Sequence, residues 1–392
     1  ENLNTQHTVN HTETWNGKVT LEPFKDLRID VSINRNHSEN KAEYFRYSDS
    51  AIAPDGSYGY WEAQNSRTTG MLTFSTISIG NAFEKWDEDT YASDAFEELR
   101  NSRSEISKIL GENAEFDSEE EGNYYSGYGP EQQEVIIGAF LTTYTTSSTN
   151  QKSINPFRAI PLPNWSLTYD GLSKIKFMKK IVRNFSITHS YRSTFTLANY
   201  QTNLLGGFDE DTGLPNFDQA GNFIPEIQTA NAVISEQFSP LIGFDATWTV
   251  GGQGLITKFE WKKDRNVALS LANNQITEIR GNELVIGAGY KFPNVKLPFK
   301  LFGKKPESVL NIRVDLTFRE NITVIRKIVE NSNQATAGQN IVSIKTAIDY
   351  NLGENLNVRL FYDQNINNPV IGTSYPSSNI NAGLALRINL AQ

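Results

Sequence analysis

The sequence has no cysteine among its 392 residues and no run of eighteen or more apolar residues. Without cysteine there is neither a disulfide framework nor a thiolate metal site. Without a long apolar run, no transmembrane helix is expected. Only four histidines are present, and none has the sequence context of an activated serine, so a Ser-His-Asp enzyme is not expected. A formal net charge of −9 argues against nucleic-acid binding.

Towards the C-terminus, apolar and polar residues alternate strictly. In residues 310–319 the apolar positions are Leu310, Ile312, Val314, Leu316 and Phe318. Near the end of the chain they include Leu384, Leu386, Ile388 and Leu390. A period of two is typical of strands with one apolar face. About ten residues at roughly 3.4 Å each, tilted by about 45°, cover the roughly 25 Å apolar band of an outer-membrane barrel. The listed residues are therefore predicted to face lipid.

Charged residues occupy the alternate positions of the same strands. They are Arg313, Asp315, Lys345, Asp349, Arg359 and Arg387. An Arg or Lys that faced lipid at the middle of the bilayer would cost about 2–4 kcal/mol, so these residues are predicted to face the lumen. Because their charges have both signs, they predict a hydrated wall that does not strongly hold a passing protein of either charge. Keeping the lumen wet and the strand register fixed is an equally good interpretation of them.

The pattern predicts an all-β fold, a transmembrane antiparallel β-barrel with an irregular, partly helical insertion. Barrel strands are expected in residues 1–81 and 161–392, and the insertion in residues 82–160, with a helix over residues 91–110. Twelve or thirteen strands are counted. Short periplasmic connections are expected at residues 291–308 and 353–355. Extracellular loops are expected at residues 199–237, 273–282, 330–340 and 367–378.

Two features indicate that these strands form one arc of a larger wall. Single-chain bacterial barrels normally have an even number of strands, whereas a count of thirteen is odd. An outer-membrane protein must be exported, yet the opening residues, ENLNTQHTVNHTETW, contain no signal peptide. The chain is therefore expected to be a piece of something longer.

Metal-binding patterns are weak. His7, His11 and Glu13 would share one face of a strand, but two exposed polar histidines on a lumen-facing strand explain them better than a metal site. The run at residues 209–213 resembles the start of a calcium loop, but its glycine falls at the fifth position rather than the sixth. A turn-rich loop is favoured, with a weak calcium site in residues 209–222 left open. No metal, no other cofactor and no enzymatic activity are expected.

Several irregular segments carry a resemblance to a known family. The segments are NPFRAIPLPNWSLTYDGLSK at residues 155–174, SEQFSPLIGFDATW at 235–248, LSLANNQITE at 269–278 and GAGYKF at 287–292. They resemble the C-terminal region of the SprA/Sov outer-membrane translocon of the type IX secretion system of Bacteroidetes. The resemblance covers essentially the whole chain, and IPLPNWSLTYDGLSK is its most specific part.

The resemblance implies an arc of a very large outer-membrane barrel that translocates folded cargo proteins to the cell surface, with a link to gliding motility. The implied partners are secreted cargo proteins, a PorV-like barrel, a periplasmic plug protein and the lipid bilayer. Two other functions fit the pattern. One is an uptake barrel like the TonB-dependent receptors, and the other is a structural or adhesive outer-membrane barrel. Loss of an uptake barrel would abolish the uptake of one solute, whereas loss of an adhesive barrel would abolish surface attachment.

Overall fold

The computed structural model describes residues 2–52, 56, 58–145, 154–209, 212–250, 253–296, 298, 307–352 and 356–388. An antiparallel sheet of thirteen strands dominates them. The strands in chain order are β1 (Asn2–Leu21), β2 (Leu27–Ile52), β3 (Tyr58–Ser75), β4 (Glu120–Glu121), β5 (Tyr124–Tyr125), β6 (Asn164–Tyr169), β7 (Val182–Thr202), β8 (Ile227–Gln228), β9 (Asn231–Val250), β10 (Gln253–Ser270), β11 (Gln275–Lys296), β12 (Glu307–Lys327), β13 (Ser332–Asn351), β14 (Leu356–Ile371) and β15 (Ser377–Ile388). The helices are α1 (Asp94–Gly111) and α2 (Gln133–Tyr144).

Neighbouring strands of the sheet are almost always neighbours in sequence. Its order is β1-β2-β3-β7-β9-β10-β11-β12-β13-β14-β15, with the short β6 lying between β2 and β7 and β8 pairing with β7. In the described part of the chain, β1 and β15 each pair on one side only, so the sheet has two open edges. The expected all-β antiparallel fold with a partly helical insertion is confirmed.

The strands are longer than the apolar alternation predicts. Most of them have 16 to 26 residues, about twice the ten that span a bilayer. Residues 275–282 and 332–340, expected in extracellular loops, belong to β11 and β13, so that expectation is wrong for these two loops. The alternation weakens there because Glu278 and Arg280 occupy the otherwise apolar side of β11 and residues 332–340 are almost all small or polar, whereas the backbone ladder continues. The expected turn at residues 353–355 lies outside the described residues, and across it the Leu352 amide donates to the Leu356 carbonyl oxygen over 2.8 Å.

Apart from the segment between β3 and β6, which leaves and re-enters the sheet midway along β7, the connections fall at two ends of the sheet. We call one the short-connection end, where β1 joins β2, β9 joins β10, β11 joins β12 and β13 joins β14. The other is the long-loop end, where residues 203–230 and the β10–β11, β12–β13 and β14–β15 connections lie. The expected alternation of short and long connections is wrong from β10 onwards. The β10–β11, β12–β13 and β14–β15 connections are short, at residues 271–274, 328–331 and 372–376, whereas the β11–β12 connection at the other end is longer, at residues 297–306.

Helix α1 has the signals of an ordinary amphipathic helix. The Ser93 hydroxyl accepts a hydrogen bond from the Phe96 amide, which caps the N-terminus, and Asp94 and Glu97 complement the helix dipole. Its buried apolar residues, Ala95, Phe96, Leu99 and Ile106, recur every three or four positions. The helix expected over residues 91–110 is therefore found, shifted by a few residues at its start.

Helix α2 was not predicted. Its cap is unusual, since the Gln132 side-chain oxygen accepts from the amides of Glu134 and Val135. Every residue from Val135 to Leu141 is buried, so the helix has no polar face and no helical period in its sequence. A short apolar run of this kind cannot be distinguished from a buried strand by pattern alone.

In the structure the insertion is the segment between β3 and β6, residues 76–163. The main hydrophobic core lies between this insertion and one face of the sheet. Both helices contribute to it, and so do β3, β7, β9, β10 and β11. Its buried sheet residues include Leu72, Phe74, Phe195, Leu197, Ala232, Ile234, Val267, Leu269 and Ile276. In β7, β9, β10 and β11 these residues lie in the part of the strand towards the long-loop end, and Leu72 and Phe74 at the end of β3 pair with the same part of β7, so the insertion covers that part of the sheet.

Candidate functional site

One face of the sheet carries a continuous apolar surface, which we call the apolar face. Strand register places Phe318 of β12 opposite Leu284 of β11 and Val342 of β13. In the same way Leu384 of β15 lies opposite Leu360 of β14. Directly paired residues of an antiparallel sheet point to the same side, so these residues form rows across the strands.

The sequence-predicted lipid-facing residues that the structure describes all lie on this apolar face. The register of the strands from β12 to β15 places all of them on one side of the sheet. These residues are Leu310, Ile312, Val314, Leu316, Phe318, Leu384, Leu386 and Ile388. Leu390 lies outside the described residues. Phe318 is 44% exposed and Leu384 61%, values that are high for large apolar side chains. Whether they face lipid stays a prediction.

The opposite side of the sheet, which we call the charged face, carries all six residues predicted to face the lumen. Register places Asp315 opposite Lys345, and Asp349 opposite Arg359. The Arg359 guanidinium lies 3.8 Å from the Asp349 carboxylate. The remaining members of the predicted set, Arg313 and Arg387, share this side.

A larger ion-pair network occupies the charged face on β10, β11 and β12. Arg319 bridges Asp264 at 2.9 Å and Glu283 at 3.1 Å. Lys262 lies 3.1 Å from the same Glu283 and 3.2 Å from Glu260. Sequence reasoning did not single out these residues, although their alternation with Phe259 and Trp261 was a usable signal. The network thus pairs charges of both signs on the charged face.

Glycines make room for these charges. A β-carbon at Gly281 would lie 2.6 Å from the Asp264 carboxylate and 2.7 Å from the Arg319 guanidinium. At Gly287 it would lie 2.5 Å from the Asp315 carboxylate. Gly281 therefore accommodates the cross-strand ion pair of Asp264 with Arg319. Gly287, which opens the GAGYKF segment, leaves room for the Asp315 carboxylate, which pairs with Arg313 of the same strand at 2.8 Å.

Beneath the insertion, the apolar face carries buried ion pairs. Arg265 lies 2.9 Å from Glu236, and Arg326 lies 3.1 Å from Glu278, with all four side chains almost fully buried. Glu278 also contacts Arg280 at 2.8 Å. Buried charges are tolerated only with partners and hydrogen bonds, so these pairs depend on the strands lying in this register.

The same arginines bind the backbone of the insertion. Arg265 donates to the carbonyl oxygens of Ser78 and Asn81 over 3.0 and 3.1 Å. Arg326 donates to the carbonyl oxygen of Tyr91 over 2.6 Å. The strands thus hold the first irregular part of the insertion by charge-assisted hydrogen bonds, in addition to the apolar core.

The residues considered as metal ligands do not converge. Among the described residues, no group of three or more His, Asp or Glu could hold a metal ion. Register places His7 opposite Glu43 and His11 opposite Glu39, on the same side as Trp15. The parity of β1 therefore places both histidines on the apolar face, and not on the charged face that is predicted to line the lumen.

In the loop considered for calcium, the Asp209 carboxylate accepts from the Thr212 amide over 2.8 Å and from its hydroxyl over 2.7 Å. This is the bonding of an Asx-type turn. Residues 210 and 211 lie outside the described residues.

The described helices include none that is both long and apolar enough to cross a membrane. The sequence matches no protein-family model, and no curated protein matches it. Among the solved structures that align with it are "OmpT (in-vitro folded), an outer membrane protein" from Vibrio cholerae in a trimer form, and a loop L8 deletion mutant of OmpT. Their sequence identities are 9% and 8%, with 98% of each chain covered. Both have a TM-score of 0.23, which is too low to support an argument about this chain.

Proposed function

We propose that this chain forms part of the wall of an outer-membrane protein-conducting channel that carries folded cargo proteins to the cell surface, as in type IX secretion. The observation that carries the proposal is the division of one sheet into an uncovered apolar face and an ion-paired charged face. A membrane barrel needs both, the first towards lipid and the second towards water.

The lengths of the strands fit this arrangement. Twenty residues at roughly 3.4 Å each, tilted by about 45°, rise about 45 Å, which is more than the roughly 25 Å apolar band. The uncovered rows around Leu316 and Leu384 would occupy the bilayer. The part of the apolar face that the insertion covers would then stand outside it. In this orientation the long-loop end is extracellular and the short-connection end is periplasmic.

The charged face supports passage of protein. Its ion pairs, such as Arg319 with Asp264 and Glu283, leave little excess charge of one sign to hold a moving polypeptide. The open edges at β1 and β15 would pair with further strands of a larger barrel, as the resemblance to the type IX translocon implies. A PorV-like barrel and a periplasmic plug protein are the expected partners, together with secreted cargo, and no catalytic activity is expected.

The proposal can be tested with cysteine labels, because this chain has no cysteine of its own. Lys345→Cys on the charged face and Leu384→Cys on the apolar face are introduced into the intact protein in cells. A bulky water-soluble maleimide should label position 345 and reduce cargo secretion, and should leave position 384 unlabelled.

Three results would contradict the proposal. Secretion could continue unchanged with position 345 fully labelled. Uptake of a single solute could fail while secretion continues, which would favour a receptor like the TonB-dependent barrels. Surface attachment could fail on deletion of the loop at residues 203–230 with secretion intact, which would favour an adhesive barrel.

A further inference from the structure

The connection between β6 and β7 combines positive charge with exposed apolar side chains. Residues 174–181, here called the basic segment, read KIKFMKKI and contain four lysines and no acidic residue. The lysines Lys174, Lys176, Lys179 and Lys180 are all exposed. So are Ile175 at 51%, Phe177 at 69% and Ile181 at 38%. An isolated exposed apolar residue is ordinary, but three within eight residues form a patch.

The basic segment lies across the short-connection end of the sheet. Close to its start, Asp170 donates its amide to the Asp26 carbonyl oxygen over 3.0 Å, and Lys174 forms an ion pair with the Asp26 side chain. At its other end, Thr249 donates its amide to the Ile181 carbonyl oxygen over 2.8 Å. These contacts tie the segment to the β1–β2 connection and to the end of β9.

Apolar surface continues from the strands to this end. Tyr169, the last residue of β6, lies on the apolar face because it is paired with Ile187, which in turn is paired with Phe244. Phe24 of the β1–β2 connection packs edge-on against Tyr169 with ring centroids 6.0 Å apart, and it is 57% exposed. Lys25 beside it is exposed. The same combination of lysine and aromatic residue thus occurs on two adjoining connections.

The distribution of charge over the molecule is asymmetric. The insertion, which covers the sheet towards the long-loop end, has sixteen acidic and six basic residues in positions 82–160. The last residues of β11, which lie at the short-connection end, add the exposed Lys291 and Lys296. One end of the molecule is therefore acidic, and the other presents clustered lysines.

We propose that the basic segment binds anionic phospholipid headgroups of the leaflet at the short-connection end, with Ile175 and Phe177 immersed and the lysines reaching the phosphates. Lysine stems can cover apolar surface while their ammonium groups stay at the interface, which suits this composition. Clustered lysines at a membrane surface attract anionic lipids, and the attraction weakens as salt screens it. The inference rests on the proposed function only in requiring that the apolar face lies in a bilayer.

The experiment uses the intact protein reconstituted into vesicles of 30% phosphatidylglycerol in phosphatidylcholine, or of phosphatidylcholine alone. Met178→Cys carries a fluorophore within the basic segment, and Leu384→Cys carries one on the apolar face. Lipids with a nitroxide at the headgroup, or deep in the acyl chain, act as quenchers. The variant Lys176→Gln/Lys179→Gln/Lys180→Gln removes charge from the segment, and Lys85→Gln/Lys108→Gln/Lys327→Gln removes the same charge elsewhere.

The label at position 178 should be quenched by headgroup nitroxides, more strongly with phosphatidylglycerol, and less at 0.5 M salt. The variant at 176, 179 and 180 should lower the apparent affinity for phosphatidylglycerol on the order of tenfold or more, whereas the control variant should not change it.

If the label at 384 is quenched by deep nitroxides, the apolar face lies in the bilayer. Two results would then contradict the lipid-binding inference without contradicting the proposed membrane function. The label at 178 could remain unquenched in both lipids, which would place the segment in water or against an acidic protein. Alternatively, the label at 178 could be quenched to the same extent with and without phosphatidylglycerol. A label at 384 that no lipid quenches would instead contradict the proposed membrane function.

Discussion

The Arg265 guanidinium lies 2.9 Å from the Glu236 carboxylate, and both side chains are almost completely removed from solvent by the insertion. Two neighbouring strands, β9 and β10, supply the pair, and the backbone of the insertion supplies the remaining acceptors of Arg265. This ion pair therefore depends both on the register of β9 with β10 and on the segment that covers it.

Replacing Arg265 by Met should destabilise the covered region by about 3–5 kcal/mol, because it leaves the buried Glu236 without its cationic partner. Tyr191 would still donate to Glu236, over 2.8 Å, but without compensating charge. The loss is measured by denaturant unfolding followed through protease sensitivity of the insertion. Arg28→Met, which removes the solvent-screened pair with Asp30, should leave the free energy of unfolding almost unchanged. Equal effects of the two changes would contradict this account.

Phe96→Ala should cost about 3–5 kcal/mol, since the ring is fully buried in the core between α1 and the sheet. The same denaturant measurement applies. Tyr375→Ala, at a side chain that is 88% exposed, is the comparison and should change stability by no more than about 0.5 kcal/mol. A small effect at Phe96 would mean that the insertion is not packed on the strands.

Adjacent residues of β12 separate the two faces. Phe318→Arg on the apolar face should reduce stability in lipid vesicles by about 2–4 kcal/mol, the cost of an arginine facing the bilayer interior. Thr317→Arg, one residue away on the charged face, should be tolerated because water is available there. The free energy of unfolding in vesicles reports the difference. If the Thr317 variant were the less stable one, the assignment of the faces would be reversed.

Burial raises the pKa of Glu134 near the start of α2, so ionisation is less favourable in the folded insertion than in the unfolded chain. The stability that the protonated group contributes is complete below its ordinary pKa and is lost as the pH rises through the raised, folded pKa. Glu134→Gln cannot ionise and should raise the melting temperature of the insertion at pH 8, with little difference at pH 4. Glu98→Gln, at an exposed position of α1, should be neutral at both values.

The predicted metal and loop assignments show where pattern reasoning is weak. His7 and His11 do share a face, but which face depends on the register of β1 with β2, and single-strand spacing does not contain that information. The sequence predicts a loop over residues 275–282, yet Glu278 and Arg280 lie within β11. Their charges compensate each other at 2.8 Å, and Glu278 also pairs with Arg326, which lies 48 residues away in sequence.

By itself, the sequence determined that this chain forms strands with one apolar and one charged side, because a period of two requires that separation whatever the neighbours are. It also determined α1, whose cap and spacing are local. Tertiary structure decided the length of the strands, the existence of α2 and the placement of the insertion. Those features depend on contacts between distant residues, such as Arg265 with Ser78 and Arg326 with Glu278, whose desolvation is acceptable only when all the partners are present.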